Sequence, residues 1–214
     1  MRKLVYLLLV LLCACEKKSE PDWEALKSQL EVIGEDDQLY RDDLDSVANR
    51  FGWQSLEMQA LWGKQKKLDS ADLAQVEMIL STYGFPPSAK VGKSNEAIFY
   101  TLQHSPDSIM LKYYDVITKA GDDGELPKSV VALYVDRVLM NKGEPQIYGS
   151  QIRVEYKTDA KGQKYDSIFL WKLKDPEQVE GLRTKMGLPP LRDYLKNFEI
   201  DPDKGYLIKY APTR

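Results

Sequence analysis

The sequence predicts a mainly helical fold, a multi-helix domain with a small antiparallel β-hairpin near its C-terminal third. Three observations support this prediction. Apolar residues recur every three or four positions through most of the chain, as they do on one face of a helix. Residues typical of helix ends, such as Ser105 followed by Pro106, and Gly84, interrupt that pattern. The period changes to strict alternation only at residues 152–156, as in a half-buried strand.

The first four helices are predicted from apolar stripes and from the residues that separate them. Leu26, Leu30 and Ile33 recur at helical spacing, and the polar run that follows ends this pattern. Asp69 or Ser70 is a suitable N-cap, because its side-chain oxygen can accept a hydrogen bond from a backbone amide of the first turn. The predicted helices are residues 21–33, 37–50, 55–67 and 71–83.

Three more helices are predicted in the middle of the chain. Ser94 caps the first, and Ser105 with Pro106 begins the second, since proline suits the first helical position. An acidic loop follows, and Pro127 begins a central helix that Gly143 ends. The predicted ranges are 95–104, 106–120, and 127 to the stop at Gly143.

The hairpin and two short helices are predicted after residue 151. Residues 152–156 and 165–171 are the two strands, and a turn at residues 159–162 joins them. Asp175, Pro176 and Glu177 place a cap, a proline and an acid where a helix start prefers them. The remaining predicted elements are helices at residues 175–186 and 191–198 and a final strand at residues 205–210.

Two charged residues lie in the apolar central helix. Asp136 and Arg137 are neighbours, so they point about 100° apart on a helix and do not simply pair with each other. A buried charge without a partner costs several kcal/mol, roughly, so each needs a partner elsewhere. The candidate partners are His104 and the amides Gln103, Gln146 and Gln151. The alternatives are a structural polar network, a binding or catalytic pocket, and a helix more exposed than its pattern suggests.

Composition excludes several classes of function. The net charge is −3 and both signs are mixed along the chain. No basic run extends beyond residues 64–67, which argues against nucleic-acid binding. A single histidine, His104, cannot form a His-rich metal site, and no metal-ligand motif or nucleotide-binding glycine pattern is present. We therefore expect no metal and no cofactor.

The N-terminus predicts a lipid anchor. Residues 1–14 have a basic start and an apolar stretch that is too short to span a bilayer. The segment ends in Leu12-Cys13-Ala14-Cys15, which resembles a bacterial lipobox. That resemblance implies cleavage before Cys15, which would then carry a diacylglyceryl group and an N-acyl chain, and several acyl chains anchor stably. The alternative is an ordinary secretory signal.

The expected organisation and location follow from this N-terminus. Residues 1–14 are a signal peptide, residues 15–22 a tether, and residues 23–214 a single mainly helical domain. An aspartate directly after the lipidated cysteine resembles an inner-membrane retention signal. This chain has Glu16 at that position. The prediction is therefore an outer-membrane lipoprotein of the bacterial cell envelope that faces the periplasm. Both cysteines lie in the N-terminal segment, so the domain has no thiol for disulfides or nucleophilic chemistry.

Short polar motifs give the sequence a family resemblance. Gln103-His104, Asp136-Arg137 and the run Gln146-Ile147-Tyr148-Gly149-Ser150-Gln151 occur in this order. With Gln65 and the run at residues 187–191, they resemble an uncharacterised bacterial family, a domain of unknown function common in lipoproteins and secreted proteins. The resemblance implies a helical fold and a shared polar centre, and it implies no activity.

Two functional hypotheses remain from the sequence. The first is a non-catalytic lipoprotein domain that binds an envelope protein, peptide or glycan through a polar centre. Its candidate binding residues are Gln103, His104, Asp136, Arg137, Gln146, Tyr148 and Gln151. The second is a metal-independent envelope hydrolase or transferase with His104 as general base and Asp136 or a hydroxyl beside it. A purely structural role for His104 is the alternative, as a helix C-terminal residue held by a hydrogen bond.

Overall fold

The computed structural model describes residues 20–210, and side chains as far as Ile208. The predicted signal peptide and Cys15 lie outside the described residues. Helices dominate this part of the chain, and one antiparallel sheet follows them, so the predicted fold class is confirmed. The helices are α1 (Trp23–Leu39), α2 (Leu44–Phe51), α3 (Leu56–Tyr83), α4 (Ser88–Val91), α5 (Glu96–Gln103), α6 (Asp107–Lys112), α7 (Tyr114–Asp122), α8 (Lys128–Asn141), α9 (Val179–Lys185) and α10 (Leu191–Lys196), with a 3-10 helix at Gly92–Asn95.

Two predicted helix breaks are wrong. Helix α1 continues through Gly34 to Leu39, because it packs on α5 there: a Cβ at Gly34 would lie 3.6 Å from that of Ala97. Helix α3 continues through the predicted caps Asp69 and Ser70. The Ser70 hydroxyl donates to the Lys66 carbonyl one turn earlier (2.8 Å), which is compatible with a helix interior. At Gly34 a tertiary contact therefore outweighs the local signal.

The predicted helix at residues 106–120 is divided in two. Tyr113 lies between α6 and α7 with φ −100° and ψ 11°, which is outside helical geometry. The Met110 carbonyl near the end of α6 accepts the hydroxyl of Tyr134 (2.8 Å), a residue of α8. This bond ties the short α6 to the central helix.

The sheet has three antiparallel strands in the order β1-β2-β3, so the predicted hairpin is extended by the predicted final strand. The strands are β1 (Ile152–Thr158), β2 (Lys164–Leu170) and β3 (Tyr206–Tyr210). Ile152 pairs with Leu170, and Ile168 pairs with both Val154 and Leu207.

Two apolar cores flank the segment of residues 146–151, which we call the 146–151 loop. The larger core joins α1, α3, α5, α7 and α8 through buried side chains such as Leu30, Val76 and Phe99. The smaller core lies between the sheet and α9–α10; its buried members are Val179, Leu191, Leu195 and Ile200. Ile147 and Tyr148 pack on the larger core, so the loop joins the two parts of the fold.

Helices α7 and α8 approach each other closely at Gly121. A Cβ at Gly121 would lie 2.6 Å from Cγ2 of Val131, so a side chain there would force the helices apart. Within residues 20–210, no helix combines the length and apolar character that crossing a membrane requires.

Candidate functional site

The carboxylate of Asp136 organises the 146–151 loop. Asp136 lies on α8 with 0% of its surface exposed. Its Oδ1 accepts the backbone N–H groups of Ile147 (2.7 Å) and Tyr148 (3.0 Å), and its Oδ2 accepts that of Ser150 (3.0 Å). Such charge-assisted hydrogen bonds offset the cost of taking a carboxylate out of water. Because both oxygens are engaged, this carboxylate holds the loop.

The conformation of the loop depends on Gly149. Its φ is +66°, a region that residues with a Cβ rarely adopt. A Cβ would also lie 3.1 Å from Cδ1 of Leu191 and 3.2 Å from Cδ2 of Leu173. The glycine therefore lets the loop lie directly on the smaller core.

Arg183 holds the opposite side of the same loop. This residue of α9 is 1% exposed, and its Nη1 donates to the carbonyls of Tyr148 (2.7 Å) and Gly149 (3.1 Å). Its Nε donates to the carbonyl of Pro189 (2.6 Å). The negative charge therefore binds the amides of the loop and the positive charge binds its carbonyls. Sequence reasoning missed Arg183, because it lies in a short, charged helix that looks solvent-exposed.

The glutamines at the two ends of the loop bond to each other and to the residue that follows β2. The N–H of Gln151 donates to Oε1 of Gln146 (2.8 Å), and Nε2 of Gln146 donates to the carbonyls of Gln151 (3.1 Å) and Trp171 (2.7 Å). Arg137 joins them through Nε, which donates to Oε1 of Gln151. The hydroxyl of Tyr194 donates to the Ser150 carbonyl (2.6 Å). We call this set the Asp136 network: Asp136, Arg137, Gln146, Gln151, Arg183 and Tyr194.

His104 and Gln103 do not join the Asp136 network. His104 follows α5 as its C-cap, and its Nδ1 lies 2.8 Å from Oδ1 of Asp37. The expectation that His104 pairs with Asp136 or Arg137 is therefore wrong. The reason is the length of α1: the helix continues past the predicted break and brings Asp37 to the end of α5. Gln103 is buried, and its Oε1 has no partner among the described residues.

His104 belongs to a second polar cluster, the Asp37 cluster, which consists of Asp37, Arg41, Gln65, Asp69, Asp72 and His104. Arg41 binds Asp69 through two hydrogen bonds (3.0 and 2.9 Å) and lies 3.3 Å from Oδ1 of Asp37. Nε2 of Gln65 donates to Oδ1 of Asp69 (2.8 Å). The His104 side chain is 23% exposed, and its Nε2 has no partner in the described part of the chain. The cluster brings one imidazole, one guanidinium and three carboxylates together between α1, α3 and α5.

Asp72 is the electrostatically unfavourable member of this cluster. It is 1% exposed, and its Oδ2 has no hydrogen-bond partner among residues 20–208. Burial, and then the negative charges of Asp36, Asp69 and Asp37, raise its pKa from 3.8 to about 6, while Arg41 opposes the shift. The protonated acid is therefore favoured at mildly acidic pH.

A groove lies on the outer side of the 146–151 loop, and we call it the Tyr148 groove. Its volume is about 330 Å³, and its walls come from α7, α8, the loop and the residue after α9. Burial raises the pKa of the Tyr148 phenol, and the nearby Asp136 and Tyr114 raise it further, so the hydroxyl stays a hydrogen-bond donor. The lining residues are Tyr114, Thr118, Gly121, Asp122, Lys128, Val131, Val135, Ile147, Tyr148 and Met186.

Among the residues that the structure describes, no three or more His, Cys, Asp or Glu side chains are arranged to hold a metal ion. The Asp37 cluster contains the required residue types, but Arg41 lies between two of its carboxylates.

A known protein family matches almost the whole of this domain. A family model described as a family of unknown function, DUF6624, matches residues 24–207, which is nearly the whole described domain. The resemblance to an uncharacterised domain is thereby confirmed. Comparison with curated proteins and with solved structures gives no match.

Proposed function

This chain belongs to the DUF6624 family of unknown function, and we propose that it is a membrane-anchored bacterial envelope lipoprotein whose domain binds a peptide partner in the Tyr148 groove. One observation supports the groove most strongly. The buried Asp136 carboxylate binds the amides of Ile147 and Tyr148, whose side chains line the groove. In this proposal the Asp136 network supports the binding surface, and the Tyr148 groove is the surface that contacts the peptide.

The lining of the groove suits a peptide. Four apolar side chains that are not aromatic lie in the groove: Val131, Val135, Ile147 and Met186. Such a surface suits an aliphatic side chain of a peptide, and the phenols of Tyr114 and Tyr148 add two hydrogen-bonding groups. Asp122 and Lys128 at the same groove provide charges of both signs for the amides of a peptide backbone.

Titration with capped pentapeptides tests the groove. A peptide with a central leucine is expected to shift the amide NMR signals of Ile147, Tyr148 and Met186 in the full chain, and one with a central serine is not. Thr118→Trp should abolish these shifts, because Thr118 lines the groove. Thr184→Trp is the matched control: both hydroxyls bond to the carbonyl four residues earlier, at 3.0 and 2.9 Å, but Thr184 lies outside the groove.

Two outcomes would contradict the peptide proposal. One is a leucine peptide that leaves the groove signals unchanged or shifts them equally in Thr118→Trp. The other is an oligosaccharide of N-acetylglucosamine that shifts the same signals while no peptide does, which would make the groove a glycan site.

The membrane anchor is the second part of the proposal. It rests on residues 12–15, which resemble a lipobox with Cys15 as the lipidated residue, and on Glu16, which favours the outer membrane. Cys15→Ser is expected to move the protein from the membrane to the soluble fraction, whereas Cys13→Ser should leave it membrane-bound. Membrane partition that is unchanged by Cys15→Ser would contradict the anchor.

One observation favours a second candidate, a metal-independent hydrolase or transferase with His104 as general base. Asp37 binds Nδ1 of His104 at 2.8 Å, which leaves Nε2 as the nitrogen available to take a proton. The adjacent hydroxyl does not support a nucleophile, since Oγ of Ser105 donates to the Thr101 carbonyl (2.7 Å). Turnover of a capped peptide that His104→Gln loses at unchanged stability would favour this candidate.

A further inference from the structure

Arg137 is a partly buried cation that pairs with no acid in the part of the chain that the structure describes. Its Nε donates to Gln151, but neither Nη has a hydrogen bond or ion pair with a described residue. The two Nη atoms are not buried, and solvent reaches both of them. Taking a guanidinium partly out of water without a counter-ion is unfavourable, and a ligand anion would offset that cost.

The acids of the neighbourhood are already engaged. Asp136, the preceding residue, uses both oxygens on the amides of the 146–151 loop. Glu180 is exposed, accepts the N–H of Leu191 (3.0 Å) and acts on Arg183. Burial lowers the pKa of the Arg137 guanidinium, and the phenol of Tyr194, which is not a carboxylate, opposes that shift.

The guanidinium is also held in place for binding. Oε1 of Gln151 accepts from Nε, while Nε2 of Gln151 donates to the Leu133 carbonyl (3.2 Å) and to Oγ of Ser150 (3.0 Å). A glutamine held at both ends of its amide therefore restrains the guanidinium through the hydrogen bond at Nε. The two Nη atoms remain as a rigid pair of donors, which matches two oxygens of one anion.

We infer that Arg137 is a binding site for a carboxylate group of a ligand. The single charge and the single guanidinium edge suit a monoanion with two oxygens, whereas a dianionic phosphate would require further cations. The site is distinct from the Tyr148 groove. Val131 and Val135 line the groove, and Arg137 lies two positions after Val135, about 200° further round the helix.

A peptide with a free carboxylate tests this site. N-acetyl-dialanine, added to the full chain, is expected to shift the NMR signals of the Arg137 Nε–H and of the Gln151 side-chain amide. Its C-terminal amide should shift neither, because the amide lacks the charge. Arg137→Gln should weaken binding by about tenfold or more, and Arg137→Lys should also weaken it because a lysine lacks the forked donors. Arg192→Gln, at an exposed arginine on α10, is the control that should bind normally.

Binding at Arg137 and binding in the Tyr148 groove can be measured separately. Thr118→Trp should leave binding at Arg137 unchanged, so a failed groove titration says nothing against the carboxylate site. Equal shifts from the amide-capped peptide, or unchanged affinity in Arg137→Gln and Arg137→Lys, would overturn the inference. So would inorganic phosphate that binds there more tightly than the carboxylate. If Arg137→Gln does not fold, the Arg137→Lys affinity decides.

Discussion

Asp136→Asn is expected to lower the free energy of unfolding by about 3–5 kcal/mol, because it breaks a buried charged network by removing one partner. The neutral amide keeps one acceptor oxygen but turns an N–H₂ group toward backbone amides that need acceptors. The Ser150 N–H, which donates to Oδ2 at 3.0 Å, then has no acceptor in a buried place. Arg183 keeps the larger influence of Glu180 but loses that of the Asp136 charge across the loop.

Urea unfolding followed by circular dichroism measures this loss. Asp45→Asn is the control: Asp45 is an exposed acid of α2, and its replacement should change stability by no more than about 0.5 kcal/mol. An Asp136→Asn variant as stable as Asp45→Asn would show that the carboxylate does not hold the loop.

Asp72→Asn is expected to increase the free energy of unfolding at neutral and mildly alkaline pH, whereas Asp136→Asn is expected to lower it. In the native protein the pKa of Asp72 is raised from 3.8 to about 6 by burial and by neighbouring acids. Below the unfolded value both states are protonated, and the contribution of this residue to stability is fully present. As pH rises from 4 to 6, the unfolded chain releases this proton first, so stability falls. Above the native pKa the loss is complete, at about 3 kcal/mol.

The asparagine variant resembles the protonated acid at every pH. It should therefore be more stable than the wild type by up to about 3 kcal/mol at pH 8, and the difference should vanish below about pH 3. Asp115→Asn, at an exposed acid of α7, should show no such pH-dependent gain. A gain that is absent at pH 8, or equal at both pH values, would contradict the raised pKa of Asp72.

The sequence was informative where a local rule decides the structure. A charge in an apolar helix must find partners, and Asp136 does find them in the loop that follows Gly143. Gln146 and Gln151 were also identified from the sequence as candidate partners in the polar centre, and they bond to each other there. Gly149 adopts the positive φ that only glycine takes easily.

The sequence was uninformative where long-range packing decides the structure. The partners of Asp136 are backbone amides, which no side-chain pattern reveals. Arg183 contacts backbone carbonyls far from it in sequence, so its role depends on where α9 packs. His104 was placed in the wrong cluster because Asp37 seemed to lie beyond the end of α1. A helix that continues through a glycine cannot be recognised without knowing that α5 packs against it.

Hydrogen exchange at the loop amides shows whether the buried Asp136 carboxylate holds the 146–151 loop. The amides of Ile147, Tyr148 and Ser150 should exchange only through large openings of the domain. The amides of Lys161 and Gln163 are the matched comparison, since both donate to Oδ1 of Asp159 (2.8 and 2.9 Å) in an exposed turn, and they should exchange much faster. Exchange of the three loop amides at the rate of that exposed turn would contradict the account.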